Sequence, residues 1–425
     1  MSTRTLYAQV RSRKRLWPAW RHIRTNALRS ASKETSDLAK EFDKNAIRNL
    51  EWIAERLRHF NYSFSAQLGI AKERAGRTPR PIVVAPIKDR IVHRSMLDTL
   101  VTSVPFVQEV LRTPTSIGGV PERGVGHALR LVNNAIGEGL VYFAKADIKD
   151  FFGTIPRQMV IDRLAREISD AQFIKLLKDA LETVLKNEEQ LGEDRNFFPV
   201  GREGVAQGSP LSPLFGNILL HEFDNKLNGR GIVCIRFIDD FLILGKTERA
   251  VVRAFESAQT MLSVLGLGLQ ERKTSFGRMD NRGVDFLGFH VQRGLLQPSA
   301  RARKRLIQKI SNKLREARGA IERTIRDEKC PEDKCKLMYC QVISDIDKIT
   351  HGWGRSFSYS NAKSTIEDVD KRIDNLVMRF NGWFRNAYKN ADCKNRRRVL
   401  GVQPLTDVDQ TILPDMLYES SNKSG

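Results

Sequence analysis

Apolar side chains recur at helical spacing in "NAIRNLEWIAERLRHF", where Ile47, Leu50, Ile53, Ala54 and Leu57 share one face. A helix is therefore predicted behind a basic arm within residues 1–60. "AGRTPRPIVVAPIKDRIVHRSML" breaks that period with three prolines and a β-branched run. It predicts a strand or loop that carries Arg80, Lys88 and Arg90 toward an anion, after which helix resumes. "TSIGGVPERGVGHALRLVNNAI" is a Gly-rich turn feeding a helix, a geometry that can aim backbone N–H groups at phosphate. "GLVYFAKADI", residues 139–148, is a mostly apolar strand ending at Asp147. Helices near 157–168 and 171–186 follow, then the polar loop "KNEEQLGEDRNFF". In "GVAQGSPLSPLFGNILLHEFDNKL", Ser212 is expected to cap a helix with Pro213 in its first turn. Leu214, Phe215, Ile218, Leu219 and Phe223 form its apolar stripe. A hairpin at about 232–245, a helix near 248–265 and a strand pair around "VDFLGFHV" complete this region.

From about residue 300 the pattern changes. Residues 301–330 hold eleven basic and four acidic side chains, with Leu306, Ile307, Ile310 and Leu314 at helical spacing. An amphipathic, strongly basic helix is predicted, with a domain boundary near 297 at "QPSA". The 425 residues suffice for two or three domains. Lys plus Arg is 71 against 50 Asp plus Glu, a formal charge of +21, which favours a polyanionic partner such as nucleic acid. Five cysteines without a CxxC pair argue against a disulfide framework and a zinc site. Cys330, Cys335 and Cys340 would not share a helical face, since five residues rotate by roughly 140°, and are read as reduced thiols. The first thirty residues carry Arg4, Arg11, Arg13, Lys14, Arg15, Arg21, Arg24 and Arg29 without an acid, but no apolar signal core follows. With no secretory signal and no membrane-spanning run, a cytoplasmic location is expected.

Candidate chemistry sits in carboxylates. Asp147 ends one strand, and "IRFIDDFLILGK", residues 235–246, places Asp239 and Asp240 at the tip of an apolar hairpin. Val233, Ile235, Phe237 and the "FLIL" run would hold that tip still. Carboxylate oxygens are the hard ligands that Mg²⁺ prefers. Three of them converging from adjacent strands would hold two Mg²⁺ ions about 3.5–4 Å apart. Asp also caps tight turns, so the pair on its own is equally read as a turn.

Read in order, "RPIVVAPIKDRIVHRSML", "TSIGGVPERGVGHAL", "ADIKDFFGTI", "GVAQGSPLSPLFGNIL", "RFIDDFLIL", "ERKTSFG" and "VDFLGFHV" resemble the successive blocks of reverse transcriptases. The bacterial kind related to group II introns and retrons is the most similar. The resemblance spans roughly residues 60–295 and, more weakly, the tail beyond. It implies an α+β right-hand polymerase with fingers, a ferredoxin-like βαββαβ palm and an α-helical thumb. The expected divisions are a basic N-terminal arm and helix at 1–60, fingers at 61–135, palm at 136–297, thumb at 298–410 and a tail at 411–425.

The resemblance also implies roles. Asp147, Asp239 and Asp240 would be the catalytic carboxylates and, with the backbone carbonyl of Ile148, would hold two Mg²⁺ ions, with Mn²⁺ as a substitute. Phe152 matches the bulky gate that crowds a ribose 2′-hydroxyl. Gln207 and Gly208 match the block lying against the incoming nucleotide. Lys273 matches the lysine that protonates pyrophosphate, and Arg80 and Lys88 would contact the triphosphate. Phe237 stands where the family usually has Tyr in its YxDD signature, beside the primer terminus. Arg301, Arg303, Lys304 and Arg305, with "HGWGRSFSYSN" and "FNGWFRNAY", resemble a thumb gripping a template–primer duplex.

The implied function is RNA-directed DNA polymerisation, a nucleotidyl transfer that uses deoxynucleoside triphosphates, an RNA template and a DNA product or RNA–DNA duplex. Twenty residues follow "NRRRVLGVQPL", and the stretch after the palm has no retron "VTG" block. A stand-alone, defence-associated enzyme that copies a noncoding RNA in bacterial antiviral defence is therefore expected. A group II intron reverse transcriptase/maturase is one alternative, and a non-catalytic RNA-binding protein on a palm scaffold is another. The hydroxyl-rich "SFSYS", residues 356–360, is an ordinary polar turn or a protein primer.

Overall fold

The computed structural model describes residues 5–30, 32–74, 77–327, 337–402 and 405, so that Arg4, Cys330, Cys335 and the tail 411–425 lie outside the described residues. The chain divides into two compact units, Met1–Gly283 and Val284–Gly425. Among the described residues no helix is long and apolar enough to cross a membrane.

In the first unit the segment expected as a basic arm forms helices Leu6–Val10 and Arg13–Leu28, followed by Lys33–Lys44 and Ala46–Arg58. The reason is a second apolar stripe: Leu16, Ala19, Trp20, Ile23 and Ala27 are buried, while Arg13, Lys14, Arg21, Arg24 and Arg29 face water. Trp20 packs on Phe42 with ring centroids 4.4 Å apart, and Ser95 Oγ in the helix Ile87–Ser103 donates to the carbonyl of Val10 at 2.7 Å.

Strands β1 (Leu68–Arg74) and β2 (Arg77–Val84) form an antiparallel hairpin running from Leu68↔Val84 to Arg74↔Arg77. The stretch read as a polar loop near 186–198 docks against this hairpin. The Asn187 side chain accepts from the Gly69 amide at 2.8 Å and donates to the Gly69 carbonyl at 2.9 Å. Gly69 is required here, because a Cβ on it would stand 2.8 Å from Leu191 Cδ1.

The palm sheet is built from β3 (Tyr142–Asp147), β4 (Ile232–Phe237), β5 (Asp240–Gly245) and β6 (Ser275–Arg278), in the order β4-β5-β3-β6 with every pair antiparallel. Helices including Arg157–Glu167, Ala171–Leu181, Ser212–Leu219 and His221–Lys226 lie between β3 and β4 in the chain, and Glu248–Val264 lies between β5 and β6. This is the expected βαββαβ arrangement. β5 is covered on both faces, which accounts for its unbroken apolar run: Phe241, Leu242, Ile243 and Leu244 are all 0% exposed. Ser212 does not cap as expected. It is the first helical residue, and its hydroxyl turns back to donate to the Ala206 carbonyl at 2.7 Å.

The second unit opens with a three-stranded meander, β7 (Val284–Phe286), β8 (Phe289–Gln292) and β9 (Leu295–Pro298). The helices Ala300–Asp327, Tyr339–Ser356, Lys363–Asn390 and Cys393–Leu400 follow. The division falls after Gly283, earlier than the expected boundary near 297, because β9 is tied to the helical part. The Leu296 amide donates to Asn361 Oδ1 at 2.8 Å, and the Asn361 amide donates to the Leu296 carbonyl at 2.9 Å. Leu306, Ile310 and Leu314 are buried against a core that includes Val342, Val369, Phe380 and Phe384. Cys234 is buried, and Cys340 and Cys393 are exposed free thiols.

Candidate active site

The palm brings the three aspartates together through its register. Asp147, the last residue of β3, pairs across the sheet with Asp240, the first of β5. Phe237 pairs with Asp240 in the β4–β5 hairpin, so Ile238 and Asp239 alone make the turn. The Ile148 amide donates to the Asp239 carbonyl at 2.9 Å, closing the turn onto the end of β3. A two-residue hairpin needs a positive φ, a place where Gly or Asn is usual, yet here Ile238 holds φ +63°. A β-branched residue there stores strain of about 1–3 kcal/mol, which the surrounding structure must hold in place.

Asp147 is buried, and its Oδ2 accepts from Lys273 Nζ at 2.6 Å. Lys145 Nζ stands 3.5 Å from Asp240 Oδ1, at the limit of hydrogen-bond reach, and that buried oxygen has no well-directed donor. Burial raises the carboxyl of Asp239. The charge of Asp147 adds to the rise, while its own backbone amide, Lys273 and Arg80 oppose it. Burial likewise pushes Asp240 up to about 6, with Lys145 opposing and Asp147 and Asp239 reinforcing. Among the described residues no three Asp, Glu, His or Cys side chains are gathered into a ready metal cage. The donor set nevertheless fits a hard divalent cation: one buried and two half-buried carboxylates that repel one another, one with an orphaned oxygen, each drawing on a lysine for compensation.

These shifts fix the sign of a pH effect. A carboxyl raised from 3.8 to about 6 binds more protons in the folded than in the unfolded state across that window. Its contribution to stability is therefore complete below the lower value and lost as pH rises through the upper one. In divalent-free buffer, wild type should lose about 2 kcal/mol relative to Asp240→Asn between about pH 4 and pH 7. Urea unfolding at several pH values reads this difference; parallel profiles for the two proteins would contradict it.

The structure ties several of the remaining expected residues to one another or to neighbouring segments. Arg80 Nε on β2 donates to Gln207 Oε1 at 2.8 Å, and the Val83 amide donates to the Gln207 carbonyl at 2.8 Å. Gly208 adopts φ +125°, and a Cβ on it would stand 2.5 Å from the Val83 carbonyl oxygen, so only glycine fits under β2. The charge of Arg80 is among those that oppose the rise of the Asp239 carboxyl. Phe152 is half-buried against the core, and its carbonyl accepts from the Val205 amide at 2.7 Å. Phe237 is half-buried at the end of β4.

Lys88 lies over the Trp52 ring, 5.3 Å from the centroid. In the second unit, Arg301 and Arg305 face solvent. Arg303 and Lys304 line a groove of about 640 Å³ with Arg315 and Arg372.

Sequence reading missed the layer beneath the turn. Arg236 is 0% exposed and forms an ion pair with Asp224, itself 1% exposed. Ser116 and Asn217 complete its surroundings, and Gly118 lies against the turn. The available signal was a lone charge in an otherwise apolar strand, "IVCIRF".

The chain matches the sequence model of the family described as "Reverse transcriptase (RNA-dependent DNA polymerase)" over residues 70–291, just over half its length. It is 29% identical over 253 residues to Protein YkfC of Escherichia coli (strain K12), covering 50% of this chain and 63% of that one. It is 24% identical over 208 residues to the Group II intron-encoded protein LtrA of Lactococcus lactis subsp. cremoris, covering 48% of this chain and 32% of that one. A chain of the partial Cas6-RT-Cas1--Cas2 complex superposes with a TM-score of 0.35 at 22% identity, covering 62% of this chain and 43% of the other. The chain thus spans less than two thirds of the length of these curated relatives. A match that runs from the β1–β2 hairpin through the whole palm, and includes all three aspartates, leaves one conclusion about descent: this chain belongs to the reverse transcriptase family.

Proposed function

We propose that the chain is an RNA-directed DNA polymerase that extends a primer 3′-hydroxyl with deoxynucleotides on an RNA template. The observation that carries this reading is the pairing of Asp147 with Asp240 beside the Asp239 turn, with Lys273 hydrogen-bonded to Asp147. Reverse transcriptases generally use divalent metal ions. Asp147, Asp239, Asp240 and the Ile148 carbonyl would hold two Mg²⁺ ions, for which Mn²⁺ substitutes. When bound, such ions supply positive charge for the attacking hydroxyl and the leaving pyrophosphate.

The other steps belong to side chains. Lys273, already within hydrogen-bond reach of Asp147, donates the proton that the leaving pyrophosphate takes up. Arg80 offsets triphosphate charge while Gln207 fixes its direction. Phe152 crowds the ribose 2′-hydroxyl, so Phe152→Ala should raise ribonucleotide use by about 10- to 100-fold in primer extension, on the scale of a pocket that discriminates by size. Unchanged discrimination would remove Phe152 from this role.

For the biological role we propose bacterial antiviral defence, in which a dedicated noncoding RNA is copied in the cytoplasm. The reading is supported by the family membership together with the missing retron "VTG" block after the palm. A second reading, an intron maturase, is favoured by the intron-encoded nature that LtrA's name declares. Sequencing the nucleic acid that copurifies with the protein separates them. A short structured RNA and its complementary DNA support defence, whereas intron ribozyme sequence supports the maturase.

A further inference from the structure

We propose that Arg236 is a positioning residue for the acidic turn, holding Ile238 in its strained conformation and thereby fixing where Asp239 and Asp240 stand relative to Asp147. This proposal rests on the reading of those aspartates as the reacting centre. Arg236 sits in β4, two residues before the turn, and all five of its side-chain N–H groups are spent. Nε donates to Asp224 Oδ1 at 2.7 Å and Nη2 to Asp224 Oδ2 at 2.5 Å. Nη2 also donates to Ser116 Oγ at 2.7 Å. Nη1 donates to Asn217 Oδ1 at 3.1 Å and to the carbonyl of Ile238 at 3.0 Å. That last bond reaches the residue with the positive φ.

The same network carries the Gly-rich turn. The Arg236 amide donates to the Thr115 carbonyl and the Ile117 amide to the Arg236 carbonyl, both at 2.9 Å. Asn217 Nδ2 donates to the Gly118 carbonyl at 3.0 Å. Gly118 lies flat against the turn, since a Cβ on it would come 2.5 Å from the Ile238 amide nitrogen and 2.9 Å from the Phe237 carbonyl carbon. Thus the segment 115–118, the helix Ser212–Leu219 and the helix His221–Lys226 all converge on one guanidinium below the turn.

A role in folding alone does not account for this arrangement. A buried ion pair gives little net stability over well-packed apolar residues of the same volume. What an apolar residue cannot do is direct separate donors to a carboxylate, an amide, a hydroxyl and the carbonyl of Ile238. Lysine cannot do so either, because its three donors radiate from one nitrogen. Arg236→Lys therefore keeps the charge facing Asp224 while releasing the turn, and Ser116→Ala removes a single partner if the lysine variant folds poorly.

The test compares wild type, Arg236→Lys and Ser116→Ala by hydrogen exchange of the peptide spanning the turn, by Mn²⁺ binding followed by electron paramagnetic resonance, and by primer extension. The expected result for Arg236→Lys is at least tenfold faster exchange at the turn and roughly tenfold weaker Mn²⁺ binding. Its kcat should fall about 10- to 100-fold, with KM for deoxynucleotide and RNA affinity within about twofold of wild type. Ser116→Ala should move the same readouts in the same direction, by less. The proposal is overturned if a folded Arg236→Lys or Ser116→Ala protein keeps wild-type exchange and Mn²⁺ affinity, or if KM rises and RNA affinity falls in step with the loss of kcat. A wild type that binds Mn²⁺ but makes no DNA overturns the polymerase reading alone, because exchange and Mn²⁺ binding still read the turn.

Discussion

Asp239→Ala should abolish RNA-templated DNA synthesis, lowering the single-turnover rate by roughly 10³-fold or more, since a carboxylate that would hold charge at the reacting centre is worth several kcal/mol. The same substitution should not destabilise the fold. Asp239 is raised by burial and by the charge of Asp147, so in divalent-free buffer near neutral pH its ionised form is a liability that alanine removes. Activity and stability are therefore expected to move in opposite directions: no DNA product, and a urea midpoint equal to or above that of wild type. Asp147→Asn should share the loss of activity, and it also frees Lys273, whose partner is Asp147 Oδ2. If Asp239→Ala lost activity only in proportion to lost folded protein, the turn would be structural.

Asp224→Ala should have the largest effect on stability, about 3–5 kcal/mol, because it strands the guanidinium of Arg236 without its counter-ion at a site with no solvent access. Removing both charges should cost much less than removing one. In Asp224→Ala/Arg236→Met an apolar side chain fills the space and no charge is left unpaired, so most of the lost stability should return while polymerisation does not. Urea midpoints of the single and double variants measure this directly. A double variant no more stable than Asp224→Ala would mean that the pair is not what holds this region.

The palm was legible in the sequence because its signals are local. A strand ending at Asp147, a two-residue acidic turn and apolar stripes at helical spacing each follow from a few adjacent residues, and their order sets the βαββαβ topology. What escaped depends on distant contacts. Nothing near Lys88 in the sequence announces that it lies over Trp52, 36 positions away in the chain. The segment 186–198 reads as a solvated loop because its charges outnumber Leu191 and Phe198, the two residues that bury it. The N-terminal arginines hid a stripe whose partner is the helix Ile87–Ser103. Ser212 reads as a cap, but its hydroxyl finds Ala206. Arg236 was the hardest to read. A buried arginine has no sequence signature beyond its apolar neighbours, and its partners at 116, 217 and 224 meet only in the fold.

The most direct measurement is primer extension by the purified chain on an RNA template of defined sequence, with Mg²⁺ and either deoxynucleotides or ribonucleotides. The expected result is DNA complementary to the template, dependence on the divalent ion, strong preference for deoxynucleotides and no product from Asp239→Ala. A folded, Mn²⁺-binding wild-type protein that extends no primer, or one that gives the same product with Asp239→Ala, would contradict it.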